Sequence, residues 1–159
     1  MPGARGVEVE FHTGLAEPLD HAMRLVRKAL RAGSRVCVVS PRWEAMSRQF
    51  WSFEAREFLA HARLGVADTV WRRSPLWVVS GFAETRAACD AAPCPGVWVN
   101  LGADAPGLLD GCERLIELVS QQPDEVDGGR LRWRAYKERG LRPVVRFDGR
   151  ATAPGPRSG

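Results

Sequence analysis

Three short segments rich in apolar residues constrain the fold of this chain most strongly. They are Val36–Val39, Leu76–Val79 and Gly96–Leu101, and loop-forming residues lie between them. Apolar side chains at successive positions are typical of a parallel strand that is covered on both faces. Parallel strands need long crossover connections, which are usually helices. These segments therefore predict an α/β fold with a mostly parallel sheet.

The intervening residues supply the helices that such a fold requires. Residues Leu19–Ala32 place apolar side chains on one side and charged side chains elsewhere, which predicts an amphipathic helix that Gly33 ends. We expect a second helix to open at Ser40 and run to about Trp51, and a short one at Glu84–Asp90. Strands alternating with helices indicate a three-layer α/β architecture.

Three further segments are predicted to be strands. Val7–His12 alternates apolar and acidic residues, which suggests one buried face and a place near a sheet edge. Arg114–Val119 could be a strand or a short helix, and its β-compatible side chains favour the strand. Leu141–Phe147 is predicted to be an edge strand, because Pro143 withholds a hydrogen-bond donor.

The last helix is predicted to begin at Pro123 and end at Gly140. Gly128 and Gly129 each cost about 1 kcal/mol relative to alanine, so we expect the regular helix to start only near Arg130. The chain is expected to form one domain over residues 1–150. Residues 151–159, which are small, polar and rich in proline and glycine, are predicted to be disordered.

Sequence signatures of nucleotide binding and catalysis are missing. The loop at residues 13–18 is not a phosphate loop, and neither a Gly-x-Gly-x-x-Gly nor a Gly-x-Ser-x-Gly motif occurs. His12, His21 and His61 are scattered and have no Cys or carboxylate neighbours at metal-ligand spacing. We therefore expect no metal, no cofactor and no active site. An enzyme that uses His61 or a cysteine remains a weaker alternative.

The four cysteines are predicted to be reduced thiols of a cytoplasmic protein. Two lie in or near apolar segments, and Cys89 and Cys94 flank a proline-containing loop. A Cys89–Cys94 redox pair is the alternative. No apolar run reaches the length of a membrane span, and the first residues lack the apolar core of a signal peptide.

A basic and aromatic segment near the C-terminus points to binding. Residues 130–140 hold five cations and two large aromatics, and Gly140 ends the run. At helical spacing of three and four, one stripe would carry Arg130, Trp133, Arg134 and Lys137. Such a stripe suits an acidic, partly apolar peptide or a phosphate chain. The alternative is a helix end that simply attracts cations and an aromatic that packs on the sheet.

Two segments together resemble one protein family. Residues 50–61, Phe-Trp-Ser-Phe-Glu-Ala-Arg-Glu-Phe-Leu-Ala-His, resemble the Leu-Trp…Phe-(Val/Leu)-Pro-His segment of the chi subunit of bacterial DNA polymerase III, a clamp-loader accessory protein. Residues 130–140 are similar to that family's Arg-x-Arg-(Tyr/Trp)-(Lys/Arg)-x-Tyr-(Lys/Arg)-x-x-Gly run. The resemblance covers roughly residues 7–141. Ala60 stands where the family usually has proline, which puts the rigidity of that loop in doubt.

The resemblance implies a Rossmann-like α/β fold without nucleotide chemistry, in line with the missing phosphate loop. It also implies a non-catalytic adaptor in DNA replication with two protein partners. One is the psi subunit of the clamp loader, which Trp51, Phe58 and His61 would contact. The other is the acidic C-terminal tail of single-stranded DNA-binding protein, which ends in Ile-Pro-Phe. The residues expected to bind this tail are Val119, Arg130, Trp133, Arg134 and Lys137. A repair helicase is a further partner in some members, and DNA would be met only indirectly. Direct binding of single-stranded nucleic acid by the same stripe is the alternative function.

Overall fold

The computed structural model describes residues 6–42, 44, 62–63 and 74–149. In this part of the chain the strands are β1 (Glu8–Leu15), β2 (Val36–Val39), β3 (Ala62–Arg63), β4 (Leu76–Val79), β5 (Val97–Asn100), β6 (Arg114–Ser120) and β7 (Val144–Asp148). The helices are α1 (Pro18–Arg31), α2 (Phe82–Ala91) and α3 (Pro123–Glu138). The predicted helix after Ser40, the residues Trp51, Phe58 and His61, and the predicted disordered tail lie outside the described residues.

The seven strands form one sheet in the order β3-β4-β2-β5-β6-β1-β7, and every neighbouring pair is parallel. Every residue of β2, β4 and β5 is buried, as their apolar runs require. Helix α1 covers one face of the sheet, where Met23 and Val26 join its core. Helices α2 and α3 cover the other face through Ala88 and Tyr136. The predicted three-layer α/β fold is confirmed.

Strand β1 departs from its prediction in one respect. It lies next to the edge strand β7, and so near the sheet edge as expected, but it is buried on both faces rather than on one. Strand β7 takes the edge position, as Pro143 indicated. Glu10 and His12, which alternate with the apolar side chains of β1, are also buried, because they form a polar network beneath α1, whereas Glu8 is exposed.

Helix α3 runs without a break through Gly128 and Gly129, so the prediction of a late start near Arg130 is wrong. Its passage over the sheet explains the glycine at 129. A Cβ at this position would lie 2.9 Å from Cγ2 of Val119 on β6, which is closer than two carbon atoms can pack. Gly129 therefore lets the helix approach the strand closely, and this packing offsets the poor helix propensity of glycine.

The prediction for the cysteines is partly wrong. Cys89 and Cys94 form a disulfide, because the chain turns back after α2 and brings their Cα atoms to 4.6 Å. Cys37 and Cys112 are free and buried. Burial raises the pKa of both thiols to about 12. Among the described residues, no helix combines the length and apolar character needed to cross a membrane.

Candidate functional site

A cavity of about 240 Å³ opens between α3 and the carboxyl ends of β1, β6 and β7. Its apolar lining comes from Phe11, Val119, Val126 and Trp133, and its other lining residues are Thr13, Gly14, Gly129, Arg130 and Asp148. Ligand sites of parallel α/β folds commonly form outside the carboxyl ends of the strands. The cavity is thus an apolar recess with one cation among its lining residues.

Trp133 forms a wall of this cavity rather than a free plate on the surface. Its ring packs edge-on against Phe11, with centroids 5.0 Å apart and planes at 62°. Phe11 is only 2% exposed, while Trp133 is half-buried. This arrangement of two aromatic rings is energetically favourable and holds the indole in one orientation. The indole held in this way lines the cavity.

Gly129 shapes the base of the cavity. It lacks a side chain at the point where α3 comes closest to β6, and Val119 fills the space beneath it. A larger residue here would push the helix outward or project toward Val119. The cavity therefore depends on this glycine as well as on its apolar walls.

The structure brings together three of the five residues predicted to bind the acidic tail. Val119, Arg130 and Trp133 line the cavity. Arg134 and Lys137 are exposed on the next turn of α3 and do not border it. The side chain of Arg130 is 73% exposed and lies 3.9 Å from Asp127, an ion pair too exposed to hold the guanidinium strongly. Arg130 can therefore turn toward an anionic ligand.

A buried polar network on the other flank of α3 was not predicted. Glu117 of β6 is fully buried and accepts hydrogen bonds from Arg132 Nε at 2.7 Å, from Asn100 Nδ2 at 3.0 Å and from the Tyr136 hydroxyl. Burial raises the pKa of Glu117, although the guanidinium of Arg132 opposes this shift. Burial and the neighbouring Glu117 also raise the pKa of Tyr136.

This network fixes α3 on the sheet and so sets the shape of the cavity. Arg132 and Tyr136 are one helical turn apart and donate hydrogen bonds to the same carboxylate. The sequence carried a weak signal for it, because Glu117 interrupts an apolar strand. A buried carboxylate such as that of Glu117 needs hydrogen-bond donors. Arg132 and Tyr136, four residues apart on α3, are donors of the kind that the sequence could have indicated.

A second buried network lies on the α1 face. Glu10 accepts hydrogen bonds from Arg114 Nε at 2.7 Å and from His12 Nε2 at 2.8 Å, and the other ring nitrogen of His12 lies 2.8 Å from His21 Nε2. Burial alone would raise the pKa of Glu10, but the hydrogen bonds from His12 and Arg114 outweigh it and lower the pKa to about 2. Burial, His12 and Arg24 lower the pKa of His21 to about 4.

These contacts correct the view that the histidines are scattered. His12 and His21 are neighbours, and His12 has a carboxylate partner, because β1 and α1 are consecutive and pack together. Hydrogen bonds thus connect Glu10, His12 and His21 in that order. Across the described residues, no group of His, Cys, Asp and Glu side chains could hold a metal ion.

A larger cavity of about 590 Å³ lies at the carboxyl ends of β2, β4 and β5. Its lining includes Phe82 and Leu108, and its cation is Arg86. The guanidinium of Arg86 already donates to the carbonyl of Asp110 at 3.0 Å and lies 3.5 Å from Asp90. This cavity contains none of the residues predicted to bind the tail.

Comparison with known proteins identifies the family. The family model described as DNA polymerase III chi subunit, HolC, matches residues 7–143. The chain belongs to the chi subunit family. It is also 29% identical over 129 residues to the DNA polymerase III subunit chi of Pseudomonas aeruginosa, an alignment that spans 77% of this chain and 80% of the relative. The resemblance inferred from the two motifs is therefore confirmed.

Membership in the chi family makes the chain an accessory subunit of a DNA replicase. The matched range contains α3 and all five residues predicted to bind the acidic tail. It also contains Trp51, Phe58 and His61, which are predicted to contact psi. These three residues lie outside the part of the chain that the structure describes.

Proposed function

We propose that this chi-family chain is a non-catalytic adaptor whose cavity binds the acidic C-terminal tail of single-stranded DNA-binding protein. The observation that carries the proposal is the cavity itself, in which the apolar walls Val119 and Trp133 adjoin Arg130. A peptide that ends in phenylalanine presents an aromatic side chain and a terminal carboxylate only a few bonds apart. The cavity offers an apolar recess for the first and a guanidinium for the second.

The guanidinium of Arg130 suits the carboxylate for a geometric reason. Its planar fork can donate two parallel hydrogen bonds to one carboxylate, and such charge-assisted bonds are stronger than neutral ones. The weak ion pair with Asp127 leaves it available for this role. Arg134 and Lys137, exposed on the following turn, would attract the aspartates that precede the end of the tail.

The absence of a catalytic role is part of the proposal. The free thiols Cys37 and Cys112 are buried with a pKa of about 12, so they stay protonated at neutral pH and are poor nucleophiles. His12 forms hydrogen bonds with His21 and with Glu10 beneath α1. These histidines act as structural groups.

The second partner in the proposal is the psi subunit. Trp51, Phe58 and His61 match the family segment that the resemblance assigns to this contact, and large aromatics often anchor interfaces. Replacing Trp51 and Phe58 together with alanine should abolish co-purification with psi while tail binding persists. Loss of both interactions would mean instead that the two aromatics are structural.

Titration with synthetic peptides tests the tail-binding function. A peptide ending in Asp-Ile-Pro-Phe should bind with a Kd of the order of 1 µM, or about 8 kcal/mol. Binding should weaken as salt rises, because exposed charges are screened. The same peptide without its final phenylalanine should bind far more weakly. A single-stranded oligonucleotide that competes for the site and binds more tightly than the peptide would favour the nucleic-acid alternative.

A further inference from the structure

Strand β7 is an open edge of the sheet with apolar side chains on its surface. It pairs with β1 on one side, and within the described residues no strand pairs with its other side. Val144 is 40% exposed and Val145 is 54% exposed. An edge strand presents unpaired backbone groups that another chain can use, and proteins usually shield such edges. Exposed valines on an open edge therefore mark a surface suited to another strand.

The register of β7 joins this edge to the proposed tail site. Val145 lies beside Phe11 on β1, and Phe11 packs against Trp133 of the cavity wall. At the other end of the strand Asp148 lies beside Thr13, and both residues line the cavity. The cavity thus lies at the carboxyl end of β7, and the exposed Val144 and Val145 lie at the beginning of the same strand.

Positive charge surrounds this edge and decides which strand can bind there. Helical spacing of three and four residues places Arg130, Trp133 and Lys137 on one flank of α3. This flank faces β7, because Arg130 and Trp133 line the same cavity as Asp148. The exposed residues Arg142 and Arg146 add charge at β7 itself, against Glu138 and Asp148 nearby. Two copies of so basic an edge repel each other, whereas an acidic strand is attracted.

We propose that the acidic segment of the tail peptide adds to β7 as a further parallel strand, with its main chain hydrogen-bonded to the open edge. The proposal rests on the function proposed above. A peptide whose last residue occupies the cavity ends at the carboxyl end of β7, so its preceding residues run in the same direction as β7. The five residues of β7 span at most about 17 Å, because the register of the strand shifts at Arg146, and this length suits an acidic run of about the same size. Strand addition of this kind lets the main chain provide affinity while pockets provide specificity.

Peptide backbone methylation tests this arrangement. In a strand, alternate residues direct their N–H groups to the same neighbour, so two peptides are made with N-methyl groups on alternate acidic residues in the two possible registers. Methylation in the register that faces β7 should lower affinity about tenfold or more, because a donor is lost and the methyl group blocks pairing. Methylation in the other register should change affinity less than about twofold.

Three results would overturn the proposal in distinguishable ways. If the parent peptide binds with its dependence on phenylalanine and neither register matters, the strand is wrong and the cavity function stands. Equal weakening in both registers would mean that methylation acts on the free peptide, and it also rejects the strand. If the parent peptide does not bind, the cavity function and the strand both fail.

Hydrogen exchange on the full chain provides an independent measurement. Amides of β7 that point away from β1 should exchange rapidly in the free protein and at least about tenfold more slowly with the full acidic peptide. The tripeptide Ile-Pro-Phe, which lacks the acidic segment, should leave them unchanged at saturation. Protection confined to cavity residues such as Gly14 and Gly129 with both ligands would contradict strand addition.

Discussion

The two flanks of α3 carry the same type of side chain in opposite environments. Arg132 is 11% exposed and donates to the buried Glu117 at 2.7 Å. Arg130, two positions earlier, is 73% exposed and lies 3.9 Å from an exposed Asp127. One arginine is committed to the fold and the other is available to a ligand. A basic helix can thus serve stability on one side and binding on the other.

The largest effect is expected from Arg132→Ala. The substitution leaves Glu117 buried without its cation, and breaking a buried pair in this way costs about 3–5 kcal/mol of unfolding free energy. Urea denaturation measures the loss. The double variant Arg132→Ala with Glu117→Leu should recover part of it, because the unpaired acid is gone. A loss below about 1 kcal/mol in the single variant would mean that the two flanks do not differ as described.

Gly129→Ala should have the next largest effect and act on both properties. The new Cβ would lie 2.9 Å from Cγ2 of Val119, and such overpacking costs about 1–3 kcal/mol. Displacement of α3 should also weaken peptide binding. Gly128→Ala is the matched control, since its Cβ would meet only Nη1 of Arg132 at 3.2 Å, a contact that a shift of a few tenths of an ångström relieves. It should be neutral or stabilise the helix by up to about 1 kcal/mol. Equal losses in the two variants would contradict the packing argument.

Arg130→Ala should weaken peptide binding about tenfold while changing the unfolding free energy by less than about 0.5 kcal/mol. The physical reason is that an exposed guanidinium contributes little to folding but can make charge-assisted bonds to a ligand. Arg134→Ala should have a smaller effect of the same kind. Calorimetric titration and urea denaturation on the same samples separate the two properties. Lys28→Ala, an exposed cation on α1 at the opposite face, is the control and should bind normally.

The last prediction concerns the pH dependence of stability and the network of Glu10, His12 and His21 beneath α1. His21 has a folded pKa of about 4 and an ordinary value of 6.5. Between these values the unfolded chain binds a proton that the folded chain does not, so stability should fall as pH falls from 6.5 to 4. Glu10, with a folded pKa of about 2 against 4.5, should add a further loss between pH 4.5 and 2.

Melting temperatures across this pH range measure the effect of His21. The variant His21→Gln should show a shallower decline between pH 6.5 and 4 than the parent protein, while Glu10 should continue to act below pH 4.5 in both. Identical declines in the two proteins would show that the histidine contact beneath α1 does not influence stability.

Much of the fold could be predicted because local patterns and burial agree. The apolar runs at β2, β4 and β5 predicted both the strands and their parallel pairing. The β-compatible residues of β6 favoured a strand over a helix there. The continuity of α3 through Gly129 could not be predicted from propensity, because packing against Val119 decides it. The disulfide between Cys89 and Cys94 depends on how the chain turns after α2, which spacing alone does not determine.

The candidate site could be predicted only in part. Spacing identified Arg130 and Trp133 on one stripe, but it could not reveal that the neighbouring Arg132 turns inward to Glu117. Phe11, Thr13 and Asp148 were missed because they come from distant strands that meet α3 only in the folded sheet. The signal that could have found the inward flank was the acid within β6, since a buried carboxylate requires a partner.

Nuclear magnetic resonance of the isotopically labelled protein, titrated with the acidic peptide ending in Asp-Ile-Pro-Phe, shows directly whether the tail occupies the cavity beside α3. We expect the largest chemical-shift changes at the backbone amides of Gly14, Val119 and Gly129 and at the indole of Trp133. Shifts should be much smaller with the peptide that lacks phenylalanine. Shifts clustered instead around Phe82 and Leu108, at the other cavity, or no shifts at saturating peptide, would contradict it.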